Sequence, residues 1–125
     1  MAESIIAGLL REKLVKPSQI SASHPRENRR DELESEYSIS VFEENKKAVE
    51  SCSGEENSIV VLCVKPQRLE GVLEEIEDSV SASQLVLSIV AGATIETISK
   101  ALGSKKIART MPNTPSQIGR GITVW

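Results

Sequence analysis

Aromatic residues are nearly missing from this 125-residue chain, which has one Trp, one Tyr and one Phe. The core must therefore come from Ile, Leu, Val and Ala, within a hydrophobic share of 39%. Basic charge in excess is missing too. Fifteen Lys and Arg stand against 18 Asp and Glu, a net charge of −3, which argues against a protein that grips nucleic acid on a basic face. No apolar run approaches the roughly 20 residues of a membrane span. The opening Met1-Ala2-Glu3-Ser4 has neither the basic n-region nor the processing site of a secretory signal, so a cytoplasmic protein is expected. Two cysteines, Cys52 and Cys63, and one histidine, His24, are too few and too dispersed for a disulfide framework or a zinc site. The length suits one domain.

What is present is an alternation of helical and strand patterns. Ile5, Ile6, Leu9, Leu10 and Leu14 recur at helical spacing, predicting an amphipathic helix from Ala2 to Lys16 that Pro17 stops. A short strand is expected at Gln19–Ala22, a turn at Ser23–Arg26, a charged helix at Glu27–Ser35 anchored by Leu33, and a strand at Tyr37–Val41. Asn45–Cys52 reads as a two-turn helix with Ala48 and Val49 inward. Ser58–Val64 is apolar throughout rather than alternating, as a strand covered on both faces of a parallel sheet would be. Lys65-Pro66 ends it. Helices are then expected at Arg68–Val80 and from Thr94, as cap, to Leu102, with Gly103 closing the second. Strands are expected at Leu85–Val90 and Lys106–Arg109, a proline-containing loop at Met111–Gly119, and a strand beginning at Ile122–Trp125. Together these spacings predict an α/β fold with a doubly wound, mostly parallel sheet.

Such a sheet holds a dinucleotide on a glycine-rich turn between its first strand and first helix. No G-x-G-x-x-G occurs here, and the chain opens on the helix, so the expected sheet lacks its first strand. The end of the following strand sets cofactor choice: a carboxylate would bind the ribose hydroxyl of NAD, a basic or hydroxyl group the 2′-phosphate of NADP. Ser23, His24 and Arg26 stand there, with no carboxylate until Glu27. The same residues also read as an ordinary polar turn.

Four blocks carry a family resemblance: Met1-Ala2-Glu3-Ser4-Ile5-Ile6-Ala7-Gly8-Leu9-Leu10, then Val64-Lys65-Pro66-Gln67, then Ser88-Ile89-Val90-Ala91-Gly92-Ala93-Thr94-Ile95, then Arg109-Thr110-Met111-Pro112-Asn113-Thr114-Pro115. In this order and spacing they resemble pyrroline-5-carboxylate reductase across all 125 residues. The resemblance implies a partial NAD(P)-binding Rossmann domain over residues 1–125, without the family's C-terminal helical domain for dimerisation and substrate. It implies reduction of Δ1-pyrroline-5-carboxylate to L-proline by NADPH or NADH, and homo-oligomers in the full-length family; the hydroxyl and basic groups of Ser23, His24 and Arg26 make NADPH the expected preference, with NADH possible. By position, Met1 would begin the helix under the pyrophosphate. Ser23, His24 and Arg26 would flank the adenosine ribose and its phosphate, with Asn45 near that ribose. Cys63, Val64, Lys65 and Pro66, and Ile89, Val90 and Ala91, would line the cofactor at strand ends. Met111, Pro112 and Asn113 would face the nicotinamide and substrate. No catalytic side chain and no metal ligand is implied.

Plainer readings stand beside these. Cys63 reads as a small buried apolar residue rather than a nucleophile, Lys65 as a solvated strand-end lysine, His24 as a surface turn residue. A non-catalytic remnant or interaction module that kept the fold is a second reading of the chain, and another NADP reductase of the same superfamily a third.

Overall fold

A computed structural model describes the protein except for residues 104, 105, 114, 116, 117 and 119. Its elements run α1 (Ala2–Arg11), β1 (Ser21–Ser23), α2 (Glu27–Tyr37), β2 (Ser40–Phe42), α3 (Asn45–Glu50), β3 (Ile59–Leu62), α4 (Pro66–Ile76), β4 (Leu85–Ser88), α5 (Ile95–Leu102), β5 (Ile107–Arg109), β6 (Met111–Pro112) and β7 (Thr123–Val124). β1 pairs with β2, and β3, β4 and β5 form a second sheet in that order, every pair parallel. β6 and β7 make a small antiparallel pair. The fold is α/β with parallel sheets, in a Rossmann-like arrangement. Among the described residues no helix is long and apolar enough to cross a membrane.

The two parallel sheets do not meet. The His24 N–H reaches the Phe42 carbonyl at 2.9 Å and the Ser40 N–H reaches the Ile20 carbonyl at 3.3 Å. In a parallel ladder this turns the peptide groups of Ser21 and Ser23 to the opposite edge. On β3 the Ser58 and Leu62 carbonyls accept from Leu85 and Ile89, which turns the peptide groups of Ile59 and Val61 away from β4. Among the described residues no strand pairs with either edge. A doubly wound sheet has its first strand at this place, and among the described residues β1 and β3 do not pair with each other.

Packing is as uneven as the pairing. Val60, Leu62, Val86 and Val90 pack against Val49, Leu69, Leu73, Ile76, Ile98 and Leu102 from α3, α4 and α5 in one cluster. The opposite face of β3 is open, with Ile59 53% and Val61 37% exposed. The unbroken apolar run at 58–64 thus corresponds to a strand covered on one side, not two. Across α1, β1, α2 and β2 only Ile6, Leu33 and Ile39 are buried hydrophobics. There α1 is tied to α2 by charge: Arg29 pairs with Glu3 at 2.8 Å, and the Tyr37 hydroxyl donates to Glu3 at 3.1 Å.

Several boundaries differ from the sequence expectation for local reasons. α1 ends at Arg11, not Lys16, because Lys13 turns left-handed (φ 55°). The Lys13 N–H then bonds the Leu10 carbonyl and the Leu14 N–H bonds the Leu9 carbonyl, a Schellman closure without glycine. Leu14, counted on the apolar face, is 70% exposed. Pro17–Gln19 forms a 3-10 turn, so β1 starts at Ser21. Tyr37 ends α2 rather than opening a strand, and Ser38 closes that helix with φ 54°. α5 follows its signals: Thr94 Oγ1 accepts from the Thr97 N–H at 3.1 Å, and Gly103 sits left-handed at φ 62°. Ile98 and Leu102 carry its buried face, and Ile95 is 49% exposed. The loop expected at Met111–Gly119 lies partly outside the described residues; its first two residues form β6.

Candidate functional site

Parallel strands place all their carboxyl ends on one side, and ligands of such sheets bind there. The carboxyl ends of β3 and β4 open onto a cleft of about 260 Å³ lined by Met1, Cys63, Val64, Lys65, Ile89, Met111 and Pro112. Met1 and Met111, at opposite ends of the sequence, meet here. Met1 is the N-cap of α1 and supplies no side-chain cap, so the first N–H groups of α1 lack intrahelical partners at the cleft, the usual situation at a helix start. The Lys65 side chain has no partner among the described residues. Cys63 is half-buried, and desolvation pushes its thiol up to about 11, only partly offset by the Met1 ammonium. A thiol held neutral in this way is a poor nucleophile, as the sequence reading of Cys63 expects.

The carboxyl end of β1 carries the second group. After Ser23, the chain turns through His24 and Pro25 into α2, whose N-cap is Arg26. The Arg26 N–H donates to His24 Nδ1 at 3.1 Å. This makes Nδ1 the acceptor, so in the neutral imidazole the proton sits on Nε2. The Arg26 side chain is exposed and has no partner among the described residues. Arg30 holds the turn from inside, its Nη1 donating to the His24 and Pro25 carbonyls at 3.0 Å each. The sequence reading missed Arg30; its position one helical turn after Arg26 was the available signal. Glu43 faces it at 3.9 Å.

Asn45 joins this group from α3. Ser23 Oγ donates to Asn45 Oδ1 at 2.7 Å, across 22 residues of sequence. Asn45 Nδ2 in turn donates to Glu75 Oε2 on α4 at 2.7 Å, and Glu75 Oε1 accepts the Lys46 N–H at 3.2 Å.

The remaining candidates fall elsewhere. Pro66, Val90 and Ala91 line a separate groove between α4 and α5 rather than the cleft, and Val90 is a core residue, 2% exposed. Its N–H donates to the buried Ser88 Oγ at 3.2 Å, which fixes the chain as it leaves β4 beside Ile89. Asn113 accepts the Ile122 N–H on its Oδ1 at 2.9 Å, tying the residue after β6 to the one before β7. No cluster of potential metal ligands occurs among the described residues.

A dinucleotide fits these residues in kind. Uncapped N–H groups at a helix start suit a pyrophosphate, Lys65 adds a cation, and an apolar wall of Val64, Ile89, Met111 and Pro112 suits a planar ring. Arg26 and the Nε2–H of His24 offer donors for a phosphate at the far end.

Known proteins resemble this chain in sequence and in fold. The pyrroline-5-carboxylate reductase of Synechocystis is 37% identical over 123 residues, covering 98% of this chain and 44% of that protein. The Escherichia coli enzyme of the same name is 33% identical over 124 residues, covering 98% of this chain and 44% of its own length. A solved pyrroline-5-carboxylate reductase from Coxiella burnetii superposes with a TM-score of 0.84 at 30% identity, over 98% of this chain and 44% of that one. A Plasmodium falciparum pyrroline carboxylate reductase solved with NADP bound shares the fold, with a TM-score of 0.77 at 24% identity over 97% of this chain and 42% of its own. The chain thus spans less than half the length of these relatives. A family profile described as NADP oxidoreductase, coenzyme F420-dependent, matches residues 1–92. By that match, the chain belongs to this family of NADP-linked oxidoreductases.

Proposed function

We propose that the chain is the cofactor-holding part of a cytoplasmic pyrroline-5-carboxylate reductase that uses NADPH. The observation that carries this is the convergence of Met1, Val64, Lys65, Ile89 and Met111 on one cleft, in a chain whose whole length aligns with reductases of that name. When bound, a reduced nicotinamide supplies a hydride for the C=N carbon of the imine. The chain's own part is orientation and charge placement, which is most of what a protein adds to cofactor chemistry. The start of α1 and Lys65 hold the diphosphate. Val64, Ile89, Met111 and Pro112 form the wall against which the ring would lie. Arg26 and His24 meet the 2′-phosphate, which favours NADPH over NADH. Substrate carboxylate and ring are held by a helical domain beyond these 125 residues, which also forms the homo-oligomer.

The test is a chimera in which this chain replaces the matching 44% of the Synechocystis reductase, introduced into a proline auxotroph. Growth without proline is the expected result. A folded, NADPH-binding chimera that makes no proline refutes the assignment of substrate. The 125-residue chain alone, given NADPH and pyrroline-5-carboxylate, is expected to form none, since positioning of the second reactant contributes roughly 7–11 kcal/mol to such barriers.

A further inference from the structure

The hydrogen bonds running from β1 to α4 have a direction, and Glu75 sets it. An ionised carboxylate can only accept. Its Oε1 is taken by the Lys46 N–H at 3.2 Å and its Oε2 by Asn45 at 2.7 Å, so Asn45 must turn its NH₂ group towards α4. The amide oxygen then faces β1 and accepts from Ser23 at 2.7 Å. A serine hydroxyl has one proton, and here that proton is committed to Asn45. Towards the ligand side of the β1 carboxyl end, Ser23 offers lone pairs alone.

We propose that Glu75 is a specificity-determining positioning residue: acting through Asn45, it makes Ser23 a hydrogen-bond acceptor, and so tunes the site towards a ribose 2′-hydroxyl and against a 2′-phosphate. This inference rests on the cofactor reading above and refines it. A 2′-hydroxyl can donate to Ser23 Oγ, whereas a phosphate presents only acceptor oxygens to it. Preference for the phosphorylated cofactor therefore comes from Arg26 and His24 against an opposing contribution from Ser23. The two sides of the site are set by different elements: the turn into α2 attracts the phosphate, and α4, reaching across α3, moderates that attraction. Glu75 also brings a negative charge to the same neighbourhood, and the two effects separate by their salt dependence, since charge repulsion between exposed groups is screened at about 1 M salt.

The experiment is titration of the 125-residue chain with NADPH and with NADH, each at low and high salt, for the wild type, Glu75→Gln, Ser23→Ala and the double variant. Glu75 is exposed, and circular dichroism checks that the variants stay folded. A glutamine side chain can donate to Asn45, letting the amide reverse and freeing the Ser23 proton. Glu75→Gln is expected to tighten NADPH binding roughly three- to tenfold, the worth of about one hydrogen bond, while NADH binding stays level or weakens. The gain should persist at high salt and vanish when Ser23 is alanine, which is the coupling a double-mutant cycle reads. Unchanged NADPH to NADH ratios in a wild type that binds both overturn the role of Glu75 and leave the cofactor reading intact. A gain that disappears in salt, or that survives Ser23→Ala, also overturns it, by assigning the effect to charge. Failure of the wild type to bind either dinucleotide overturns both readings together.

Discussion

Replacing Ile98 by alanine tests how unevenly the stability of this protein is distributed. Ile98 lies on α5, is fully buried, and belongs to the cluster that joins α3, α4 and α5 to β3 and β4. The substitution removes the apolar contacts of three carbons and leaves a cavity, and such changes cost about 2–5 kcal/mol. The site has little room to collapse, because β4 is the middle strand of its sheet and Val86 opposite is also fully buried. A loss of about 3–4 kcal/mol is therefore expected from the upper part of that range. That is a large share of the roughly 5–15 kcal/mol typical of a folded domain. Native-state hydrogen exchange locates the loss. The amides of Val60, Leu62 and Leu87 should lose protection by the full amount. Those of Ala22 and Phe42 sit in a two-stranded sheet backed only by Ile6, Leu33 and Ile39; they open by local fluctuation and should barely change. Equal losses in both sheets would refute the unequal-halves argument and show one cooperative unit.

Three other perturbations follow from the same contacts. Arg26→Ala should weaken NADPH several-fold or more and leave NADH nearly unchanged in a titration, since charge-assisted contacts to phosphate are worth roughly 1.5–3 kcal/mol; equal losses would remove Arg26 from phosphate recognition. Stability should fall at both ends of the pH scale. The Arg29 hydrogen bond holds Glu3 below its ordinary 4.5, so that contribution is present above 4.5 and is lost as pH falls through the lowered value. Burial, with Glu3 beside it, raises Tyr37 from 10.0 to about 12, so its contribution is complete below 10 and lost as pH rises towards 12; urea titrations of Glu3→Gln should flatten the acid limb, and an unaltered limb would exclude Glu3 as its source. Cys63, raised to about 11 by burial, should resist a thiol reagent at pH 8 in the folded protein and react at once in urea; equal rates would contradict its placement.

Much of the architecture was legible because local chemistry and packing agree. Thr94 and Gly103 bracket α5, Leu33 anchors a helix otherwise made of charge, and the apolar runs at 59–62 and 85–88 became adjacent parallel strands. The failures share a cause: each depends on a neighbour the pattern does not reveal. Leu14 continues the helical period, but nothing packs over it, and Lys13 turns the chain first. The run at 58–64 reads as doubly covered, yet β1 does not come near enough to pair and one face stays open. Ser23, His24 and Asn45 were singled out by position. Arg30 and Glu75 were not, because their roles arise where α2 folds back on its own entry turn and where α4 meets the start of α3.

The central claim is that a nicotinamide dinucleotide phosphate binds where the carboxyl ends of β1, β3 and β4 gather. The direct test is an amide chemical-shift titration of the 125-residue chain with NADPH. Saturable shifts are expected at Ala2, His24, Val64, Lys65, Ile89 and Met111, with the outer groove of Glu70, Glu74 and Lys100 between α4 and α5 left unmoved. Shifts confined to that groove, or none at millimolar NADPH, would contradict the claim.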